Sequence, residues 1–396
     1  MISTKIKEKA SQYFEKIQKI RHHLHMNPEL SFQEVNTGKY IASVLDELGV
    51  EYTAGWCDNG LVAIIKGDQP SDKVIMLRAD IDALPIQEEN EVAYKSQNSG
   101  VMHACGHDVH TSCLLGAMHI LNDLKSDFGG TIKCIFQPGE EQLPGGASIM
   151  IKEGVLENPK PTSVLGQHVH PPLAVGRIGY RSGMYMASAD EIRITVKGKG
   201  GHGALPHNCV DTVLMSARIL TALQDVVARN TNPNIPAVLS FGKINSVGGA
   251  TNIIPDEVKI EGTFRTMNED WRLEAHKQIK RIAEKTAESM GGTCEVDIMI
   301  GYPCLINEPQ LTARTHSHMV EYMGEENVVE LPIRLTAEDF SYYSQQADAC
   351  FYRLGTGNSE LGITSAVHTP TFDVDEQALE IGMGLMAYLA VSECAG

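Results

Sequence analysis

Positive charge is scarce in this 396-residue chain: 33 Lys and Arg stand against 50 Asp and Glu, for a formal net charge of −17. Nucleic acid and anionic membrane surfaces attract basic proteins, so neither is expected as the main partner. Long apolar runs are missing too. No segment reads as a bilayer span, and Met1 to Arg21 is polar and amphipathic where a signal peptide would carry an apolar core. Nor is there a cysteine framework. Nine cysteines, an odd number, are scattered without regular spacing, which fits reduced and mostly buried thiols in a cytoplasmic protein. Repeats and low-complexity linkers are absent. What remains is a soluble globular composition, 42% hydrophobic and 21% charged, in a chain long enough for two domains.

The first half alternates helix and strand. Helical periodicity over residues 4–25 precedes a second helix ending at Leu48, with Gly49 closing it. Apolar strands are expected at Leu61–Ile65, Val74–Leu77, Thr131–Phe136 and Ser163–Gly166, with a helix over Thr111–Leu124. Continuous apolar strands separated by helices predict an α/β domain with a mostly parallel central sheet. The middle reads differently. Strands at Glu191–Val196, Ala237–Phe241, Val258–Phe264 and Thr293–Ile298 interleave with helices at Asp211–Arg229 and Trp271–Ser289, the β-α-β-β-α-β order of a ferredoxin-like α+β unit. Alternation then resumes after Tyr302, with a strand at Cys350–Leu354 and a helix at Glu376–Ala390. The expected organisation is a discontinuous domain of residues 1–186 and 302–396 with an inserted domain of residues 187–301.

Chemistry concentrates at predicted strand ends. Cys105 and His107 stand two apart in a glycine-containing loop before a helix; thiolate with imidazole suits zinc or another first-row metal, although a capped loop reads the same way. The strand Val74–Leu77 runs into Asp80 and Asp82, where open α/β sheets bind ligands, and either carboxylate could orient a ligating imidazole. Ile132–Phe136 leads to the neighbours Glu140 and Glu141, one suited to a metal and the other to a general base; an exposed pair would be mere surface charge. His168 follows Ser163–Gly166, and Pro171-Pro172 is expected to stop the strand there, which leaves His168 rather than His170 facing inward. His368 precedes the last helix. Five potential ligands, Cys105, His107, Glu141, His168 and His368, suit two metals sharing one of them.

The runs Arg78-Ala-Asp-Ile-Asp-Ala-Leu-Pro85, Met102-His-Ala-Cys-Gly-His-Asp108, Gln137-Pro-Gly-Glu-Glu141 and Gly166-Gln-His-Val-His-Pro171 closely resemble the amidohydrolase branch of the aminoacylase/carboxypeptidase metallopeptidases. The likeness continues through Gly198-Lys-Gly-Gly-His-Gly-Ala-Leu-Pro206, Asn252-Ile-Ile-Pro255, Gly262-Thr-Phe-Arg-Thr266, Glu338-Asp-Phe340 and His368, nearly the whole chain in order. It implies a di-metal catalytic domain, an inserted domain acting as lid and homodimer interface, and two divalent ions (Zn, Mn, Co or Ni). Cys105 would bridge the ions, Glu141 and His368 completing one site and His107 and His168 the other. Glu140 would be the general base and Asp80 the partner of a ligating imidazole. His202 would polarise the scissile carbonyl of a neighbouring subunit's substrate. Asn252 and Arg265, with backbone near Gly355, would hold the substrate carboxylate. The implied reaction is hydrolysis of N-acyl amino acids. A dipeptidase or carboxypeptidase on the same scaffold is the nearest alternative; a Cys105 nucleophile and a silent metal-stabilised binder are others.

Overall fold

The computed structural model describes residues 1–248 and 250–395. Their backbone contacts divide the chain into two units.

The first unit comprises residues 1–184, 306–333 and 339–396 and is built on an eight-stranded sheet. In spatial order the strands are Glu51–Trp56, Gly60–Lys66, Gly129–Gln137, Gln69–Asp80, Ser163–Ala174, Ala349–Gly357, Ile178–Tyr180 and Val328–Glu330. The four central strands, from Gly129–Gln137 to Ala349–Gly357, run parallel. Antiparallel strands flank them. Residues Val74 to Asp80 are buried without alternation, the pattern of a strand covered on both faces. The helices Ile2–Met26, His107–Asp123 and Gln377–Ala395 pack on one another and share one apolar core with the sheet. Gly49 closes the helix Val35–Leu48 in the left-handed conformation (φ 67°) that glycine adopts without penalty.

Three expectations need correction here. The helix Gln377–Ala395 is long and apolar enough to cross a membrane; it is mostly buried in the core, where an all-round apolar helix is also at home. The strand beginning at Ser163 does not stop at Pro171-Pro172 but continues to Ala174. Its pairing with Gln69–Asp80 ends at Gly166, so on that side no ladder bond is lost to the prolines. The helix after Cys105 starts at His107 rather than at Thr111.

The second unit comprises residues 185–305 together with 334–338. Its four-stranded antiparallel sheet has the order Ala237–Ser246, Glu257–Thr266, Asp190–Lys197, Thr293–Ile300. With the helices Thr212–Asp225 and Glu269–Ser289 this is the β-α-β-β-α-β unit. Alternation sets its core: Ile192, Ile194 and Val196 are buried while Glu191 and Arg193 are exposed. The segment 334–338 was expected with the first unit. Backbone bonds Ala187 N–H to Arg334 O and Arg334 N–H to Tyr185 O tie it to the second.

Candidate metal centre

The parallel register aligns the carboxyl ends of the central strands: Asp80 lies opposite Gln137, Arg78 opposite Gly166, and His168 opposite Arg353. Side chains from three of these strand ends and two loops therefore converge.

Cys105 lies at the centre. Its Sγ is 3.5 Å from His168 Nε2 and 3.3 Å from His368 Nε2. Donor atoms of Cys105, His107 and His168 lie within 4.8 Å of one another, as do those of Cys105, Glu141 and His368. His107 is presented as the first residue of its helix by Gly106. A side chain at Gly106 is barred by its φ of 81° and by Val169, whose Cγ2 would lie 2.6 Å from an added Cβ. His368 has a positive φ of 63°, rare for a residue with a side chain, and its N–H is tied to Ala104 O at 2.7 Å.

The imidazoles share one arrangement. His107 Nδ1 donates to Asp82, 2.9 Å from its carbonyl and 3.1 Å from its Oδ1. His168 Nδ1 donates to Val169 O at 2.7 Å. With Nδ1 so committed, it is Nε2 of each ring that is placed to meet a cation beside Cys105, once that nitrogen is unprotonated. His107 Nε2 is buried without a hydrogen-bond partner, 3.6 Å from Asp80 Oδ2 and 4.0 Å from Glu140 Oε2. Glu141 Oε1 likewise lacks a hydrogen bond, although His368 Nε2 is 3.0 Å away in poor alignment. Buried orphan donors and acceptors of this kind are what metal ligands look like without their ion.

Charge points the same way. Burial disfavours a charged His107, but Asp80, Asp82 and Glu141 outweigh it and raise the imidazole to about 10. Burial, then Glu141, Glu140 and Asp80, push the Cys105 thiol well above its usual range. A cavity this rich in negative charge calls for a cation, and only a cation would let Cys105 ionise. Donor set and orphaned atoms fit two divalent ions.

Asp80 does not hold a ligating imidazole. Its carboxylate takes Arg78 Nη1 and His110 Nδ1, and His110 Nε2 is itself occupied by Val169 N–H. Asp82 does the orienting instead, and its Oδ2 also accepts the Glu141 N–H at 3.0 Å and the Ser31 hydroxyl at 2.6 Å. The strand ends at Asp80, so the alternation rule says nothing about Asp82 beyond it.

Glu140 is 5% exposed, and its Oε1 accepts the Asp339 N–H at 3.3 Å. Asp339 was noticed in sequence only within Glu338-Asp-Phe340. Its carboxylate is held by Arg78 Nη2 at 2.6 Å, Gln137 Nε2 and Ala147 N–H. Glu34, not singled out in sequence, accepts the Gly139 N–H at 2.8 Å and so anchors the loop that carries Glu140. A glutamate just before a helix offered no signal of that distant contact.

Gly355 lies on the strand Ala349–Gly357, and its N–H is taken by Arg177 O at 2.9 Å, so it has no donor left for a substrate. Its glycine is needed for packing, because an added Cβ would lie 2.2 Å from Ala174 O. His202 and Asn252 are exposed in the second unit. They flank the short ladder in which His202 pairs with Ile253, and Asn252 O accepts the Gly203 N–H. His202 Nδ1 accepts the Ala204 N–H at 3.1 Å, which leaves Nε2–H as a free-standing donor. Arg265 donates from Nη1 to Leu335 O at 3.1 Å.

Comparison with known proteins agrees with this centre. The model of "Peptidase family M20/M25/M40" matches residues 76–392. "Thermostable carboxypeptidase 2" of Saccharolobus solfataricus is 38% identical over 390 residues, 98% of each chain. "N-acetyl-L-cysteine deacetylase" of Bacillus subtilis is 37% identical over 361 residues, 91% of this chain and 84% of that one. Among solved structures, the Bacillus subtilis YXEP protein, described as a dinuclear metal binding peptidase from the M20 family, superposes with a TM-score of 0.83 at 32% identity, covering 97% of this chain and 99% of that one. The chain belongs to peptidase family M20/M25/M40.

Proposed function

We propose that the protein is a di-metal amidohydrolase that cleaves N-acyl amino acids into a carboxylic acid and a free amino acid. The observation that carries this reading is the donor ring around Cys105 with buried Glu140 beside it. Cys105 is shared between a set with Glu141 and His368 and a set with His107 and His168. Mixed thiolate, imidazole and carboxylate donors suit zinc, manganese, cobalt or nickel. When bound, such ions would supply Lewis acidity, lowering the pKa of water and polarising the scissile carbonyl. Glu140, steadied by the Asp339 N–H, takes the proton of the attacking water and delivers it to the departing nitrogen.

In this reading His202 offers its Nε2–H to the carbonyl oxygen as negative charge develops there. Arg265 and Asn252 recognise the substrate carboxylate by charge-assisted and neutral hydrogen bonds. A Cys105 nucleophile is disfavoured, because a thiol pushed up by burial and acids is a poor thiolate without a cation.

The deacetylase relative supports N-acyl amino acids as substrates. The carboxypeptidase relative supports a second reading, release of a terminal residue from a peptide. One assay separates them. N-acetyl, N-benzoyl and N-succinyl amino acids, dipeptides and carboxyl-blocked versions of each are incubated with added manganese or zinc, or with chelator, and products are read by mass spectrometry. Metal-dependent cleavage of the N-acyl set that disappears on carboxyl blocking is the expected result. Cleavage of peptides alone moves the assignment to the second reading, and turnover that survives chelation overturns both.

A further inference from the structure

On one edge the strand Ser163–Ala174 loses its partner, Gln69–Asp80, at Gly166, three residues before Val169, while the other edge stays paired with Ala349–Gly357. His110, from the first turns of the helix His107–Asp123, takes up the backbone there: its Nε2 accepts the Val169 N–H at 2.9 Å. That bond needs an unprotonated Nε2. Asp80 ensures it by accepting the proton of His110 Nδ1, and Arg78 holds Asp80 in turn. The carbonyl of the same residue, Val169 O, accepts His168 Nδ1–H at 2.7 Å. Arg78, Asp80, His110, Val169 and His168 thus form one hydrogen-bonded line that ends at His168 Nε2, 3.5 Å from Cys105 Sγ. The line is sealed from water, with Arg78 1%, Asp80 0%, His110 0% and His168 7% exposed.

We propose that His110 is a positioning residue for His168. By pinning the Val169 N–H on the edge where Gln69–Asp80 no longer pairs, it fixes the carbonyl that sets the tautomer and aim of the His168 imidazole. The proposal rests on the di-metal reading above. A peptide N–H left unbonded in a dry interior is costly, so without His110 the segment would shift to find another acceptor. His168 would then shift with it.

Two substitutions separate the bonds His110 makes. In H110Q the side-chain Oε1 can still accept the Val169 N–H. In H110N the shorter amide reaches Asp80 but not Val169. Cobalt(II) is titrated into metal-free wild type and both variants without substrate. Binding is read by equilibrium dialysis and by thiolate-to-cobalt absorption. The expected wild type binds two ions per chain; H110N loses about 10–100-fold in one affinity, the scale for losing a ligand's outer support, and H110Q stays within a few-fold of wild type. Unchanged affinities in both variants, or equal losses in both, overturn the proposal. A wild type that takes up fewer than two ions overturns the di-metal reading instead. A further readout needs no variant: nitrogen NMR of histidine-labelled, zinc-loaded wild type should show coupling across the hydrogen bond from Val169 N to His110 Nε2, and His168 protonated at Nδ1. Absence of that coupling overturns the proposal even if the variants do not fold.

Discussion

The buried groups around the proposed metal ligands and the groups proposed to touch substrate are built in opposite ways; His368, a proposed ligand, is itself exposed and stands outside the contrast. Asp80, Asp82, His107 and His110 are at most 1% exposed, and a second buried group restrains each of them. His202 and Asn252 are exposed, on a ladder only two residues long. Outer contacts tune a metal ligand and fix its orientation, which demands a dry, over-determined setting. Groups that must meet and release a substrate gain from being accessible, and their tautomer needs only one local bond, such as Ala204 N–H to His202 Nδ1. The lesson is a division of labour that single substitutions can test. Changes in the buried set should move metal affinity, and changes in the exposed set should move turnover alone.

The sharpest test is Glu140→Gln, which sits among the buried groups but is assigned to proton transfer. Turnover should fall by about 10²–10⁴-fold with metal stoichiometry intact. Loss of an ion would move Glu140 into the ligand set. His202→Ala should lower kcat by about 10²–10³-fold and leave metal binding untouched; if metal content dropped as well, the division would break. Asp82→Ala leaves His107 Nδ1 only the backbone carbonyl of residue 82, and removes its carboxylate acceptor and that of the Glu141 N–H. Metal affinity should weaken by about 10–100-fold, measured by competition with a chelating dye. Asp80→Ala would equal it only if Asp80 acted on a ligand as strongly.

The smallest effect concerns stability. Burial and the nearby Asp82 raise Glu34 from 4.5 to about 7. The folded state therefore holds a proton that the unfolded state has already lost. Stability from this group is fully present below about pH 4.5 and is lost as pH rises toward 7. Glu34→Gln keeps an acceptor for Gly139 N–H without the charge. In urea denaturation of the metal-free protein it should gain roughly 2–3 kcal/mol at pH 8 and nothing at pH 4.

Local chemistry was readable from the sequence, and distant contacts were not. Gly49 announced its helix end because only glycine sits easily at φ 67°. The alternation of Ile192, Ile194 and Val196 gave the strand its buried face. Spacing also marked Cys105 and His107 as worth testing for metal. It could not say which aspartate meets which imidazole nitrogen, because Asp82 lies past the strand end in a loop held by Glu29 O and the Leu84–Met102 bridge. The same blindness hid Glu34, Asp339 and the role of His110. Glu34 and His110 each accept a backbone N–H far away in sequence, at Gly139 and Val169, and Asp339 gives its own N–H to the distant Glu140. The bond that occupies the Gly355 N–H was hidden for a related reason, since its partner, Arg177 O, is visible only once the chain is folded.

The order in which strands meet has a consequence for synthesis. The second unit is nearly continuous, residues 185–305, and its sheet can close as soon as Thr293–Ile300 leaves the ribosome. The central strand Ser163–Ala174 must wait for Ala349–Gly357, and the core waits longer still for Gln377–Ala395. During translation a finished insert should therefore hang from an unfinished host whose apolar face is still bare. Pairings that span so much chain form slowly and leave sticky intermediates. The proposed metal ligands straddle the same gap, with His368 arriving 263 residues after Cys105, so a nascent chain cannot assemble the full set until nearly all of it has emerged.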